Sequence, residues 1–214
     1  MTTNEKPTIG IIGAGRLGTV LAKQALKAGY KVRIANSRGP ETLSLILRVL
    51  LPVAQAATVH DVIELSDIII LAIPLNKYKS LPPELFHNKI VIDAMNYWPP
   101  TEGRIEEFDD DTSSSSVYMQ KYLTKARLVK TLNHVAYNEL NEHSLPEGNP
   151  NRRAIVMASD DKEAKLQIAK VINDLGFDPV DLGRLEEGKK FQPGTNLFDA
   201  RFTESEIKTH VTNQ

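Results

Sequence analysis

The chain has 214 residues, of which 41% are hydrophobic and 25% are charged, the composition of a soluble globular protein with a substantial core. It contains no cysteine, which excludes disulfides, thiol nucleophiles and thiolate metal sites. The net charge of −1 gives no general attraction to nucleic acid or to anionic membranes. The polar first residues and the short apolar runs indicate neither a signal peptide nor a membrane span, so we expect a cytoplasmic protein.

Short apolar runs alternate with segments of helical periodicity along the chain. Strands are predicted at residues 8–12, 31–35, 57–59, 68–73, 89–93, 127–132, 154–158 and 179–182. Helices are predicted at residues 17–26, 43–51, 61–65, 117–126 and 162–175. This alternation predicts an α/β protein of the Rossmann type, with a doubly wound, mainly parallel sheet. We expect a core over residues 1–135 and a small C-terminal part, residues 136–214, which completes the sheet and closes the site.

One segment has a biased composition. Residues 101–116 contain six acidic side chains and four consecutive serines. This composition favours a solvated, mobile loop over an ordered substrate loop.

A glycine motif follows the first predicted strand. Gly13-Ala14-Gly15-Arg16-Leu17-Gly18 is a complete G-x-G-x-x-G, and it lies between a strand and a helix inside a βαβ unit. The first glycine permits a tight turn, the second lets the backbone approach a pyrophosphate, and the third lets the helix pack closely on the strands. The free N–H groups at the start of the helix then face the phosphates, which predicts a dinucleotide site.

The end of the second strand indicates which dinucleotide binds. NAD sites place Asp or Glu there, whereas this chain has Asn36-Ser37-Arg38 and no acidic residue before Glu41. Ser37 can donate to a 2′-phosphate, and the guanidinium of Arg38 can pair with it and stack on adenine. We therefore predict NADP(H); the alternative is that Arg38 is a solvated loop cation.

The sequence resembles a known family, the NADP oxidoreductases that use 8-hydroxy-5-deazaflavin, coenzyme F-420. The blocks that carry the resemblance are Ile9 to Gly18, Asn36-Ser37-Arg38-Gly39, Leu71-Ala72-Ile73-Pro74, Ile92-Asp93-Ala94-Met95-Asn96, Val129-Lys130-Thr131-Leu132-Asn133, Ala158-Ser159-Asp160-Asp161 and residues 175–183. The order and spacing of these blocks are more specific than any one of them. The resemblance implies hydride exchange between NADP(H) and a deazaflavin on a Rossmann core.

The resemblance also implies roles for particular residues. The glycine turn, including Arg16 and Leu17, and the Ser37-Arg38 pair correspond to the NADP-binding segments. Ala72, Ile73 and Pro74 correspond to the strand end that lies along the dinucleotide. Residues 133–136, which include His134 and Ala136, correspond to the segment near the nicotinamide and the acceptor. Many relatives carry a further Lys or Arg after the Ser-Arg pair, where this chain has Gly39-Pro40-Glu41.

Hydride transfer between two rings needs little side-chain chemistry, and the sequence contains no metal-ligand cluster or hydrolase motif. His134 follows a strand whose end faces the crevice, so it can polarise an acceptor or supply a proton, or be an ordinary loop histidine. Asn96 and Asn133 also end strands, where they can bind the carboxamide or the acceptor, or simply cap the loops that follow.

Three further features of the sequence each allow two interpretations. Lys130 lies inside a strand, where it can form a Schiff base, although an outward or locally paired lysine is the commoner case. Tyr97 and Trp98 can form a stacking wall for a flat ring, or a core or subunit contact. Residues 191–202 mix aromatic side chains with Gly194 and can form a lid or pack against a partner chain.

The sequence thus predicts an NADP(H)-dependent oxidoreductase that passes hydride between NADP(H) and a deazaflavin or similar flat acceptor. One alternative is a flavin or ferric reductase on the same NADP module, and another is a non-catalytic NADP(H) redox sensor. We expect a small-molecule redox acceptor and a homodimer, with no nucleic-acid or membrane partner and no metal.

Overall fold

The apolar runs form the strands of one sheet in the structure, a computed structural model that describes residues 5–109 and 113–212. Within these residues the sheet has eight strands. They are β1 (Ile9–Ile12), β2 (Val32–Ala35), β3 (Gln55–Ala56), β4 (Ile68–Leu71), β5 (Ile90–Asp93), β6 (Arg127–Thr131), β7 (Ala154–Ala158) and β8 (Asp178–Asp181). The central strands β1, β4 and β5 are buried along their whole length, which explains why their sequences are almost continuously apolar.

The sheet has the order β3-β2-β1-β4-β5-β6-β7-β8, and neighbouring strands are parallel except for β6 and β7. Ile9 of β1 pairs with Val32 in β2 and with Ile68 in β4. The chain runs from β1 to β2 and β3 on one side and then crosses back to β4, which creates a switch point at the carboxyl end of β1. The prediction of a Rossmann-type, doubly wound and mainly parallel sheet is confirmed.

Helices cover both faces of this sheet. They are α1 (Arg16–Lys27), α2 (Ser44–Leu50), α3 (Val59–Glu64), α4 (Pro99–Glu102), α5 (Ser115–Tyr122), α6 (Tyr137–Glu142), α7 (Lys162–Asp174) and α8 (Glu204–Thr212). Short 3-10 helices span Pro40–Leu43, Leu75–Ser80, Pro83–Phe86, Glu106–Phe108 and Leu185–Phe191. Every helix in the described part of the chain is too short or too polar to cross a bilayer.

The structure departs from the predicted elements mainly around β3. The strand predicted at residues 57–59 lies at Gln55–Ala56 instead, because the Thr58 side chain accepts a hydrogen bond from the N–H of Asp61 and starts α3 at Val59. Helices α6 and α8 were not predicted, since both are short and polar.

Apolar side chains from the two faces of the sheet form two clusters. Ile11 and Ile34 belong to one cluster together with apolar side chains of α1 and α7, while Leu71 and Val91 belong to the other together with side chains of α3 and α5. A third, smaller cluster covers β7 and β8 and includes Phe191 from the C-terminal region.

The two predicted parts of the chain share one sheet. Residues 136–214 contribute β7 and β8, and β7 is hydrogen-bonded antiparallel to β6, with Lys130 opposite Ala158. The C-terminal region is thus anchored to the Rossmann core by main-chain hydrogen bonds.

The expectation of a solvated loop over residues 101–116 is wrong for its last three residues. Ser114, Ser115 and Ser116 are buried, and Ser114 caps α5 by accepting a hydrogen bond from the N–H of Ser116. The Ser116 hydroxyl donates to Asp93 at 2.5 Å. Serine composition favours solvent, but here the hydroxyls satisfy a helix end and a buried carboxylate. Residues 110–112 lie outside the described residues.

Candidate functional site

The glycine turn forms a cradle at the carboxyl end of β1. A Cβ atom on Gly13, which has φ +115°, would lie 2.3 Å from the carbonyl oxygen of Ala72, and one on Gly18 would lie 1.8 Å from that of Gly13. A Cβ on Gly15 would meet no protein atom within 4 Å. The outer two glycines are therefore required by the fold, whereas Gly15 leaves open space in front of the turn, as a bound pyrophosphate requires.

Helix α1 begins at this open space. Its N-cap is Gly15, no side chain caps it, and its first turn contains no acidic residue. The first N–H groups of the 12-residue helix are consequently available to an anion, with the positive end of the helix dipole behind them.

Asn36 shapes the loop that follows β2. Its side-chain oxygen accepts a hydrogen bond of 2.9 Å from the N–H of Arg38, and its side-chain nitrogen donates to the hydroxyl of Thr42 at 2.9 Å. Ser37 and Arg38 are exposed at the tip of this loop. Asn36 therefore holds the turn that presents Ser37 and Arg38 at the carboxyl edge of the sheet.

A cavity of about 1060 Å³ joins the glycine turn to this loop. Among the predicted cofactor residues, the structure brings Gly13, Gly15, Asn36, Ser37, Arg38, Ala72, Ile73 and Pro74 together in its lining. Arg16, Leu17, Gly18, Asn96, Asn133 and Ala136 are not part of that lining.

Sequence reasoning missed two basic side chains that line the same cavity, His60 from α3 and Lys77 from the 3-10 helix at Leu75–Ser80. His60 Nδ1 lies 3.6 Å from a carboxylate oxygen of Glu64. Both residues come from separate segments and belong to no motif, so only the fold reveals that they line the same cavity as Arg38.

Asn96 and Asn133 meet beyond the ends of β5 and β6. Asn96 donates to the carbonyl of Asn133 at 2.7 Å, and the Asn133 amide donates to Asn96 Oδ1 and to the carbonyl of Phe191, both at 3.0 Å. Asn133 Oδ1 is buried and has no hydrogen-bond partner among the described residues. The two side chains therefore hold each other, and one acceptor atom remains for a ligand or a water.

His134 is buried, with 3% of its surface exposed. Its Nε2 accepts a hydrogen bond of 3.3 Å from the N–H of Val156, and its ring packs against Phe191 with centroids 5.3 Å apart. Burial, with smaller contributions from Arg153 and Lys130, lowers the pKa of His134 to about 3, so it is neutral near pH 7. This geometry favours the ordinary structural role over the predicted acid or electrophile.

Ala136 stands at the start of α6, beside the start of α1. It is the N-cap of α6, and the hydroxyl of the next residue, Tyr137, accepts a hydrogen bond of 3.4 Å from Arg16. Ala136 and Arg16 thus lie on the same side of the glycine turn, outside the cavity lining.

A second cavity, of about 650 Å³, lies next to Asn96 along the chain. Tyr97, Trp98 and Phe108 line one side of it, and residues 192–195 line another. Tyr97 and Trp98 thus both border a space that a flat molecule can enter. The centroid of the Trp98 ring lies 6.1 Å from that of Phe198. Within the segment 191–202, Phe191 and Leu197 are buried in the third apolar cluster. This segment is therefore packed against the sheet and forms a wall of the second cavity.

Lys130 is fully buried and lies 3.5 Å from the fully buried carboxylate of Asp93. Burial lowers the pKa of Lys130, and the neighbouring Asp93 acts in the opposite direction. The expectation of local pairing is confirmed, and that of an outward-pointing side chain is wrong.

Residues 8–97, which contain the glycine turn and every residue that lines the large cavity, match the model of a family described as NADP oxidoreductase coenzyme F420-dependent. This match confirms the resemblance. The matched segment ends just after Asn96, so the family model does not extend to Asn133 or to the C-terminal wall.

Curated relatives are similar over most of the chain. The chain is 25% identical over 191 residues to Metalloreductase STEAP3 of Rattus norvegicus, covering 88% of this chain and 36% of that protein. It is 27% identical over 191 residues to Metalloreductase STEAP2 of Homo sapiens, covering 87% and 35%. The chain therefore spans about a third of the length of the curated relatives it matches.

Solved structures share the fold. Protein SMa0349 from Sinorhizobium meliloti, described as hypothetical, is 28% identical with a TM-score of 0.80, over 92% of this chain and 95% of that one. A candidate F420-dependent NADP reductase from Arthrobacter sp. FB24 is 22% identical with a TM-score of 0.73, over 86% and 87%. The family match over residues 8–97 and the shared fold thus show similarity to NADP-dependent oxidoreductases.

Proposed function

We propose that this chain binds NADP(H) in the large cavity and exchanges hydride between it and a flat redox ring such as 8-hydroxy-5-deazaflavin. The observation that carries the proposal is the cavity itself, in which the uncapped start of α1 and the open space at Gly15 are continuous with Ser37 and Arg38. An anion cradle joined to a loop that carries a cation and no acid suits a pyrophosphate followed by a 2′-phosphate.

The proposed adenosine end lies between Arg38, His60 and Lys77. Ser37 and Arg38 would bind the 2′-phosphate, since no carboxylate occupies residues 36–38 to repel it. Lys77, which lines the same cavity, would add positive potential there. It would compensate for the absence of a second basic residue after Arg38.

The proposed nicotinamide end lies along residues 72–74 toward the Asn96–Asn133 pair. Bound NADPH supplies a hydride, and the protein residues have only to bind, orient and shield the two rings. Asn133 Oδ1, which is buried and has no hydrogen-bond partner among the described residues, would accept a hydrogen bond from the carboxamide. Tyr97 and Trp98 would then border the acceptor in the second cavity, next to Asn96.

A second candidate function is reduction of ferric ion. It is favoured by the alignment of 86–88% of the chain with metalloreductases, at 25–27% identity. A hydride carries two electrons and a ferric ion accepts one, so this activity requires a flavin that releases electrons singly. The homodimer and the cytoplasmic location stay predictions as well.

The test is oxidation of NADPH by the purified protein, followed at 340 nm with no acceptor, with oxidised 8-hydroxy-5-deazaflavin, with FMN, and with FMN plus a ferric chelate. Turnover that depends on the deazaflavin and is weak with FMN supports the proposal. Turnover only with FMN and iron would replace it by the metalloreductase function. Tight NADPH binding without turnover in any mixture would favour the sensor.

A further inference from the structure

Two opposite charges are buried directly below the Asn96–Asn133 pair. Asp93, the last residue of β5, is the register partner of Lys130 in β6, and neither side chain is exposed to solvent. Removing two charges from water costs free energy that their mutual attraction repays only with good geometry and further hydrogen bonds. An apolar pair would fill the same space, so the retained charges suggest a specific use.

The ion pair holds both backbone polar groups of one residue, Met95. Asp93 Oδ1 accepts a hydrogen bond of 3.0 Å from the N–H of Met95, and Lys130 Nζ donates to the carbonyl of the same residue. Met95 immediately precedes Asn96. The backbone from which the Asn96 side chain projects is therefore fixed by the ion pair.

The same pair contacts two elements from other parts of the chain. Ser116, in the first turn of α5, donates its hydroxyl to Asp93 Oδ2. Gly188 lies against Lys130 so closely that a Cβ atom there would be 3.2 Å from Lys130 Cγ. Gly188 belongs to the 3-10 helix that ends at Phe191, whose carbonyl accepts from Asn133. The ion pair is thus connected to Asn96 through the backbone of Met95, and to Asn133 through the 3-10 helix at Leu185–Phe191.

We propose that Asp93 and Lys130 are positioning residues that fix Asn96 and Asn133 for the nicotinamide end of NADP(H). The inference rests on the proposed function and adds a division of roles to it. The ion pair governs the placement of the nicotinamide, while the glycine turn and Arg38 govern the affinity for the rest of the dinucleotide.

The test compares two probes, NADPH and 2′-phosphoadenosine 5′-diphosphoribose, which has every part of the cofactor except the nicotinamide. Dissociation constants are measured for the wild type, Lys130→Met and Asp93→Asn. We expect the fragment to bind all three within about twofold. The ratio of NADPH affinity to fragment affinity should fall about tenfold in both variants, because displacement of positioning groups by about 1 Å has effects of this size or larger.

Lys165→Met is the matched control. Lys165 is also largely buried and also ion-paired, 2.8 Å from Asp181, but it joins α7 to β8 away from the cavities. This variant is expected to lower the melting temperature and to leave the affinity ratio unchanged. Ser116→Ala, which removes one donor to Asp93 and keeps both charges, should lower the ratio less than Lys130→Met and serves as the readout if Lys130→Met does not fold.

An unchanged ratio in folded Asp93→Asn and Ser116→Ala proteins would overturn the inference and leave the cofactor site intact. A wild-type protein that binds neither probe would instead overturn the proposed function. A purely structural role would lower the melting temperature without separating the two probes.

Discussion

The two ends of the proposed dinucleotide site are built in opposite ways. At the adenosine end, Ser37, Arg38, His60 and Lys77 stand exposed around an open cavity. At the nicotinamide end, Asp93, Lys130 and Asn133 are buried and Asn96 is half-buried, and the groups are joined in two pairs, Asn96 with Asn133 and Asp93 with Lys130. The first end therefore provides flexible charge for affinity, and the second provides fixed geometry for the reaction. Each of the following predictions tests this difference.

The largest effects are expected from two glycines of one motif. Gly18→Ala places a methyl group against the Gly13 carbonyl and should destabilise the fold by about 3 kcal/mol. Gly15→Ala meets no protein atom and should change stability by less than about 0.5 kcal/mol. It should still weaken NADPH binding at least about tenfold, because the methyl group occupies the pyrophosphate space. Urea unfolding and NADPH titration of both variants measure this; normal NADPH affinity in Gly15→Ala would contradict the cradle.

The next effect concerns the buried end and pH. Because the pKa of His134 is lowered to about 3 in the folded chain, the unfolded chain binds more protons between about pH 6.5 and pH 3. The free energy of unfolding should therefore decrease as the pH is lowered through this window, by about 1.4 kcal/mol per pH unit from His134 alone. His134→Gln, whose side-chain oxygen can accept from the Val156 N–H, should be less sensitive to pH and keep NADPH turnover. Loss of turnover with an unchanged pH slope would restore the catalytic interpretation of His134.

Arg38→Ala tests the exposed end. Removing a charge-assisted pair with the 2′-phosphate should cost about 2 kcal/mol, or about 30-fold in the dissociation constant of NADPH. NADH lacks that phosphate, and its affinity should change by less than about twofold. Fluorescence titration with both nucleotides measures the difference, and equal losses would contradict the 2′-phosphate assignment.

The smallest effect is expected for Lys77→Ala. Lys77 is exposed and acts through potential rather than through a fixed contact, so NADPH affinity should fall only about twofold to fivefold at low salt. The effect should vanish in about 1 M salt, whereas the effect of Arg38→Ala should partly persist. A salt-independent loss would indicate direct contact with the cofactor instead.

The same contrast explains what the sequence could predict. Gly13, Gly15, Gly18 and Arg38 lie within 26 residues and act through local backbone geometry, so a motif reveals them. The strands followed from their apolar runs for the same local reason. Asn96 and Asn133 were identified from strand ends, but their mutual hydrogen bonds depend on the β5–β6 pairing and could not be predicted.

Long-range contacts decide what the local sequence could not. The burial of residues 114–116 depends on Asp93 and Gln192, which are distant in sequence, so composition alone indicated solvent. His134 was selected because it follows a strand, yet tertiary packing turns its ring into the interior. Lys77 and His60 reach the cavity only through the fold.

The most direct test of the central claim, that the cavity between the glycine turn and Arg38 binds NADP(H), is to titrate the wild-type protein with NADPH and NADH at one ionic strength. We predict NADPH binding that is at least about tenfold tighter than NADH binding, from the 2′-phosphate contacts alone. Equal affinities, or no binding of either nucleotide, would contradict the account.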